Sequence, residues 1–142
     1  MSEMLGNRYF LARQFDKAVP YLEGALAQNP AMDKIKKKLV VCLIQTGQIE
    51  RAISLFHEII LKDPQIIIDT DAYYEDCPCA ELIPLWEKKL NMKEDSVEYM
   101  KIMGMLTLYC NVKKSIAYFN KAIALSEKPA RLKSIVDHIQ SL

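Results

Sequence analysis

Two cysteines separated by one residue could bind a metal or take part in redox chemistry. Cys77 and Cys79 flank a proline, and two acidic residues precede them. Thiolate and imidazole groups are ligands that zinc prefers, so this segment could form a metal or redox site with His57 or His138. Zinc sites more often combine two C-x2-C elements, or one such element with a histidine pair, and no second element exists here. We therefore predict no bound metal, no cofactor, and no disulfide between Cys77 and Cys79 in reducing buffer.

Residue patterns that support catalysis are absent from the sequence. It contains no G-x-S-x-G nucleophile elbow, no glycine-rich phosphate loop and no H-E-x-x-H pair. The two histidines, His57 and His138, both fall on predicted helices and do not form an obvious nucleophile–base pair. The sequence therefore predicts a protein that is not an enzyme.

Lysines near the start of one predicted helix form a basic cluster. Residues 33–38 read DKIKKK, and Lys34, Lys37 and Lys38 can share one helix face. Two interpretations stay open, namely a basic patch that attracts an acidic peptide and a solvated helix start that serves solubility. The net charge is +1, which does not favour nucleic-acid binding or membrane binding.

Negative charge is concentrated between Asp63 and Glu87. This segment has seven acidic residues and no lysine or arginine, and it also contains Tyr73, Tyr74 and Trp86. Aromatic side chains beside charges often mark contact surfaces, but they also fill local cores, and both readings stay open. The lysines could meet this segment in a second copy, so a homo-oligomer is one possible state.

Composition is typical of a folded domain with many helices. The chain has 142 residues, of which 51% are hydrophobic and 26% charged, and only four glycines. Its apolar runs are shorter than the roughly 20 residues that a membrane-spanning helix needs. No secretory signal is recognised, so we expect a cytoplasmic location and reduced thiols. Cys42 and Cys110 are predicted to be buried packing residues inside helices.

The sequence repeats itself at a distance of 34 residues. KAVPYLEGALAQNP at 17–30 aligns with RAISLFHEIILKDP at 51–64. The same offset joins seven pairs of positions: Leu5 and Leu39, Tyr9 and Leu43, Phe15 and Ile49, Ala18 and Ala52, Leu22 and Phe56, Ala25 and Ile59, and Pro30 and Pro64. So many matches in one register indicate a repeated structural unit.

Each unit predicts two helices that pack closely. The expected helices are 3–12, 16–28, 32–45 and 50–62. Asp16 can cap the second helix, and the small residues Ala18 and Ala25 let the first two helices approach each other. Asn29-Pro30 ends the pair, because the residue before a proline disfavours the α region.

These units resemble tetratricopeptide repeats, whose pattern is L-G-x2-Y, then A-x3-F, then A and P. The first unit matches this pattern at Leu5, Gly6, Tyr9, Ala18, Leu22, Ala25 and Pro30. The second unit departs from it at Val40, Leu43 and Ile59. A further match covers 96–129, with Ser115, Phe119 and Ala122 at the second-helix positions and a capping box offered by Asp95 and Glu98.

The resemblance divides the chain into a single domain of repeats. The expected repeats are 1–30, 31–64, a degenerate 65–94 and 95–128, followed by a capping helix at 129–142. In the degenerate repeat we expect two short helices at roughly 66–75 and 79–91, hinged at Cys77-Pro78, with Pro84 kinking the second or lying in its first turns. Apolar residues on one side of the last helix would cover the end of the array, namely Leu132, Ile135, Val136 and Ile139.

The resemblance implies an all-α, right-handed superhelix of antiparallel helix pairs that acts as an adaptor or scaffold. In this family the first helices line a concave groove, which implies these groove residues: Asn7, Phe10, Leu11, Lys34, Lys37, Lys38, Val41 and Gln45. The expected partner is a protein or peptide with acidic residues. The alternatives are a helical-repeat RNA-binding protein and a metal or thiol protein built on Cys77 and Cys79.

Overall fold

The computed structural model describes residues 2–70, 82–88 and 96–141. All regular elements in these ranges are α-helices, which confirms the predicted all-α class. The helices are α1 Ser2–Leu11, α2 Phe15–Gln28, α3 Asp33–Gln45, α4 Ile49–Lys62, α5 Gln65–Ile68, α6 Leu82–Glu87, α7 Val97–Thr107, α8 Val112–Leu125 and α9 Ala130–Gln140. The chain forms two compact units, the N-terminal unit Met1–Phe56 and the C-terminal unit His57–Leu142.

In the N-terminal unit the 34-residue repeat extends to the conformation of the turns. Arg13, between α1 and α2, has a φ of 62°, and Gly47, between α3 and α4, has a φ of 80°. The amide after each donates back to the preceding helix, from Gln14 to the Tyr9 carbonyl (2.9 Å) and from Gln48 to the Leu43 carbonyl (2.8 Å). Both turns therefore end a helix with one left-handed residue.

The core of the N-terminal unit depends on a close approach of α1 to α2. A Cβ atom at Gly6 would lie 2.7 Å from Cδ2 of Leu22, which is fully buried together with Ala18. The predicted cap of α2 is wrong, because Asp16 lies inside the first turn and the capping position belongs to Gln14, whose side chain makes no capping bond.

In the C-terminal unit α7 packs against α6 and α8, and α8 packs against α9. A Cβ atom at Gly104 would lie 2.9 Å from ring atoms of Phe119. The fully buried Ser115 hydroxyl donates to the Gly104 carbonyl (2.7 Å). The apolar residues predicted for the last helix, Leu132, Ile135, Val136 and Ile139, are all buried.

Several predicted helix ends in this unit are corrected. The capping residue of α7 is Ser96, whose hydroxyl accepts the Tyr99 amide (3.1 Å), and not Asp95. The helix expected at 66–75 ends at Ile68. Pro84 lies in the first turn of α6, which confirms one of its two expected positions, and a proline is tolerated there. The expected hinge at Cys77-Pro78 lies outside the described residues.

Candidate functional site

The predicted groove joins α1 and α3 through a hydrogen bond between side chains. Nζ of Lys38 donates to Oδ1 of Asn7 at 2.8 Å, and the two helices are in contact. Both side chains are half-buried. The structure thus brings together two of the residues that the sequence placed in the groove, and it fixes the position of one cation.

Two cations lie near the Phe10 ring. Nζ of Lys38 is 5.9 Å from the centre of its ring and Cζ of Arg13 is 6.0 Å from it, distances at which a cation is attracted to an aromatic face. The Phe15 ring meets the Phe10 ring edge-on, with centres 5.7 Å apart. Since Phe10 is only 1% exposed, it positions the cations and does not offer a contact surface itself.

The remaining groove residues divide by burial. Lys34 and Leu11 are exposed, and Gln45 is half-buried. Lys37 is 7% exposed and Val41 is 1% exposed, so both belong to the core, as Phe10 does. Phe10, Lys37 and Val41 are therefore not part of the exposed candidate surface. The surface that remains consists of Asn7, Leu11, Lys34, Lys38 and Gln45.

The contribution of Arg13 to this site was missed from the sequence. Its left-handed backbone places the guanidinium beside Phe10. The signal was present, because Arg13 stands 34 residues before Gly47, a glycine at which such repeats turn. A left-handed backbone is uncommon for a residue other than glycine. Here it sets the direction of the Arg13 side chain.

Comparison with protein-family models identifies this region. Residues 9–74 match the tetratricopeptide repeat family. The segment 9–74 is therefore similar to tetratricopeptide repeats. The family generally acts as a protein-interaction module, and the comparison finds no catalytic family in the chain. No curated protein matches the sequence.

The cysteines of the repeat and of the C-terminal unit differ in their chemistry. Cys42, inside α3 of the tetratricopeptide repeat, is fully buried as predicted. Burial raises the pKa of its thiol to about 12, although the Lys38 charge acts in the opposite direction. Cys110 was expected to be buried in a helix, but it lies exposed after the end of α7. It is also disulfide-bonded, so the expectation of reduced thiols is wrong for this residue.

In the C-terminal unit, His57 and His138 both contact Ser134. Nε2 of His57 lies 3.0 Å from Oγ of Ser134, and Nδ1 of His138 donates to the Ser134 carbonyl (2.8 Å). Burial lowers the pKa of His57, and the charges of Arg131 and His138 lower it further. The neutral imidazole is therefore favoured in the folded chain.

Other sequence-predicted features have limited structural support. Within the ranges that the structure describes, no three His, Cys, Asp or Glu side chains form a group that could hold a metal ion. Trp86 is 6% exposed and belongs to the core. None of the described helices is both long enough and apolar enough to cross a membrane. Cys77, Cys79, Tyr73 and Tyr74 lie outside the described residues.

Proposed function

We propose that the tetratricopeptide repeat binds an acidic peptide or an acidic segment of a partner protein. The contact surface is the exposed face of α1 and α3, with Lys34 and Lys38 as the cations and Asn7, Leu11 and Gln45 beside them. This gives the chain the role of an adaptor or scaffold. The observation that carries the proposal is the hydrogen bond from Lys38 to Asn7.

A lysine held in this way is prepared for binding. A free lysine side chain loses rotamer freedom when it contacts a ligand, and this loss opposes binding. Lys38 already has its ammonium located by Asn7 and by the Phe10 ring. Part of the ordering has therefore occurred before a peptide arrives.

The charge distribution on α3 favours an anionic ligand. Lys34 and Lys38 are one turn apart, and like charges at this spacing destabilise a helix slightly. A carboxylate between them would relieve this repulsion. Lys34 is exposed, so salt is expected to weaken its contribution to binding. The exposed Leu11 side chain would add an apolar contact.

Fluorescence anisotropy with labelled peptides that carry no, two or four glutamates tests this proposal. For the natural sequence we expect affinity to rise with the number of glutamates and to fall with salt. Replacing both lysines (Lys34→Gln, Lys38→Gln) should weaken binding of the most acidic peptide by about three- to tenfold, since each exposed or half-buried pair contributes up to about 1 kcal/mol.

The matched control is Lys36→Gln. Lys36 lies on the same helix, but two residues from Lys34 and from Lys38, and so on a different face. It removes one positive charge without touching the proposed surface. If net charge alone determined binding, this control, which removes one charge, would lose about half as much binding free energy as the double variant, which removes two. Sedimentation of the protein without peptide tests whether the lysines instead contact a second copy of the chain. A mass that rises with protein concentration would favour this homo-oligomer.

A further inference from the structure

The C-terminal unit contains a cleft between α6, α7 and the start of α8. Its volume is about 330 Å³, at the lower end of the range of about 300–1,000 Å³ for small-molecule sites. This space suits one large side chain with its neighbouring backbone better than a large cofactor. We infer that the cleft binds a peptide segment in which a large apolar side chain is flanked by one acidic and one basic residue.

The base of the cleft is suited to an apolar group. Met103 and Thr107 of α7 line it and are 0% and 2% exposed. The Thr107 hydroxyl donates to the Met103 carbonyl at 2.5 Å, so its only hydrogen is engaged within the helix. The base therefore has no hydroxyl donor left for a ligand. Since both residues are already covered, the walls above them supply the apolar contact for a leucine-sized side chain.

The walls continue this apolar surface and add one polar group. Ile83 and Pro84 of α6 lie on one side and the Tyr118 ring of α8 on the other, all half-buried. Asn111 also lines the cleft, and its Oδ1 accepts the Lys114 amide as the cap of α8. This cap uses an acceptor of the Asn111 amide and leaves its N–H donors for a peptide carbonyl.

The rim carries one charge of each sign on different helices. Glu87 is the last residue of α6 and Lys114 lies in the first turn of α8, and both line the cleft. Both are exposed. A ligand with an acidic residue near Lys114 and a basic residue near Glu87 would match this arrangement, whereas a ligand with a uniform charge would meet repulsion on one side.

Methionine-methyl NMR provides a direct test, because α7 carries its own controls. The probe is acetyl-Lys-Leu-Asp-amide, compared with acetyl-Lys-Gly-Asp-amide. The Met103 methyl signal should shift and saturate with the leucine peptide. The signals of Met100 and Met105 should move little, because neither residue lines the cleft. We expect the glycine peptide to bind at least about tenfold more weakly, as burial of a leucine side chain contributes about 1.5–3 kcal/mol.

A charge variant with a matched control completes the experiment. Lys114→Glu should weaken binding of the leucine peptide by about threefold or more. Lys113→Glu makes the same charge change on the adjacent exposed residue, which does not line the cleft, and should leave the affinity unchanged. The inference is overturned if the Met103 signal does not respond, if the glycine peptide binds as well as the leucine peptide, or if the two variants weaken binding equally.

Discussion

Within each of the helix pairs α1–α2 and α7–α8 the two helices approach each other closely, but the pairs do so with different residues. Each places a glycine of its first helix against a large buried side chain of its second, Gly6 against Leu22 and Gly104 against Phe119. In both pairs an added Cβ would come within 3 Å of that side chain. The close approach is therefore the shared feature of the two pairs, and the identity of the large residue varies.

The pairs differ in how much of the first helix is covered. In α7 the residues from Tyr99 to Thr107 are buried with the exception of Lys101, whereas α1 buries only Gly6 and Phe10. Met4 and Leu11 of α1 are each 66% exposed. A helix that is apolar on all sides has neighbours around it, and a helix with one apolar side leaves the rest to solvent or to a partner.

The small residue at the helix crossing also differs between the pairs. Ala18 is fully buried without a polar group, whereas Ser115 is fully buried and its hydroxyl donates to Gly104. A buried hydroxyl is tolerated only when it is hydrogen-bonded. Ser115 thus combines small size with a hydrogen bond between the helices, whereas Ala18 contributes small size alone.

The largest loss of stability is expected from enlarging the fully buried alanines. Ala18→Leu adds three carbon atoms at a site with 0% exposure, and overpacking of this kind costs about 1–3 kcal/mol. Ala52→Leu, at the same position of the second unit, should behave similarly. The measurement is thermal or urea denaturation, with Ala27→Leu on the exposed side of α2 as the control. Unchanged stability of both variants would mean that the 34-residue register is wrong.

Glycine-to-alanine variants test the close approach itself. Gly104→Ala should destabilise by about 1–2 kcal/mol, because the added methyl meets a rigid ring. Gly6→Ala should cost less, since the nearest atom is the end of a flexible Leu22 side chain.

Gly24→Ala is the matched control for both, because its nearest neighbour beyond the helix is Ser2 Oγ at 3.4 Å. It should stabilise the protein by up to about 1 kcal/mol through helix propensity. The same denaturation experiment measures all three variants, and a stabilising Gly104→Ala would contradict the described contact with Phe119.

Helix caps provide a smaller contrast between the pairs. Asn111 caps α8 by accepting the Lys114 amide (3.1 Å), but Gln14 makes no such bond at the start of α2. Asn111→Ala should therefore destabilise by about 1 kcal/mol, and Gln14→Ser should stabilise by a similar or smaller amount. If both changes are neutral by urea denaturation, the caps do not distinguish the two pairs.

The smallest effect concerns pH and is restricted to the C-terminal unit. Since the pKa of His57 is lowered in the folded chain from its ordinary 6.5, the folded state binds fewer protons than the unfolded state in this range. The contribution of His57 to stability is fully present above a pH of about 6.5 and is lost as the pH falls. His57→Gln should reduce this loss. Urea denaturation at a series of pH values measures it, and an unchanged pH dependence would contradict the described histidine environment.

The helices were predictable from the sequence because their signals are local. The apolar spacing and the 34-residue offset placed the ends of α1 to α4 within one residue of the structure. The end of α7 is not marked by apolar spacing: this helix ends at Thr107, and Asn111 adopts an extended conformation (φ −152°, ψ 98°) to cap α8. This also explains why Cys110 lies outside the helix in which we expected it.

The candidate surface was predicted only in part, because burial depends on the neighbouring helices. The sequence placed Lys34 and Lys38 on one face of α3, and both are accessible. It also placed Lys37 there, although this residue is 7% exposed. A lysine can bury its aliphatic stem against a core, so its charge alone does not show on which side of a helix it lies. The position of the Arg13 guanidinium near Phe10 depends on a left-handed turn, which apolar spacing does not encode and which only the 34-residue offset to Gly47 indicates.

The central claim is that acidic ligands bind the exposed face of α1 and α3 in the N-terminal unit. An NMR titration of isotope-labelled protein with the four-glutamate peptide tests it most directly, because it reports the location and the affinity together. We predict saturable shifts that include the Asn7 side-chain amide and the backbone amides of Lys34 and Lys38, and that disappear in the Lys34→Gln, Lys38→Gln variant. Shifts confined to other helices, or shifts that persist in that variant, would contradict the claim.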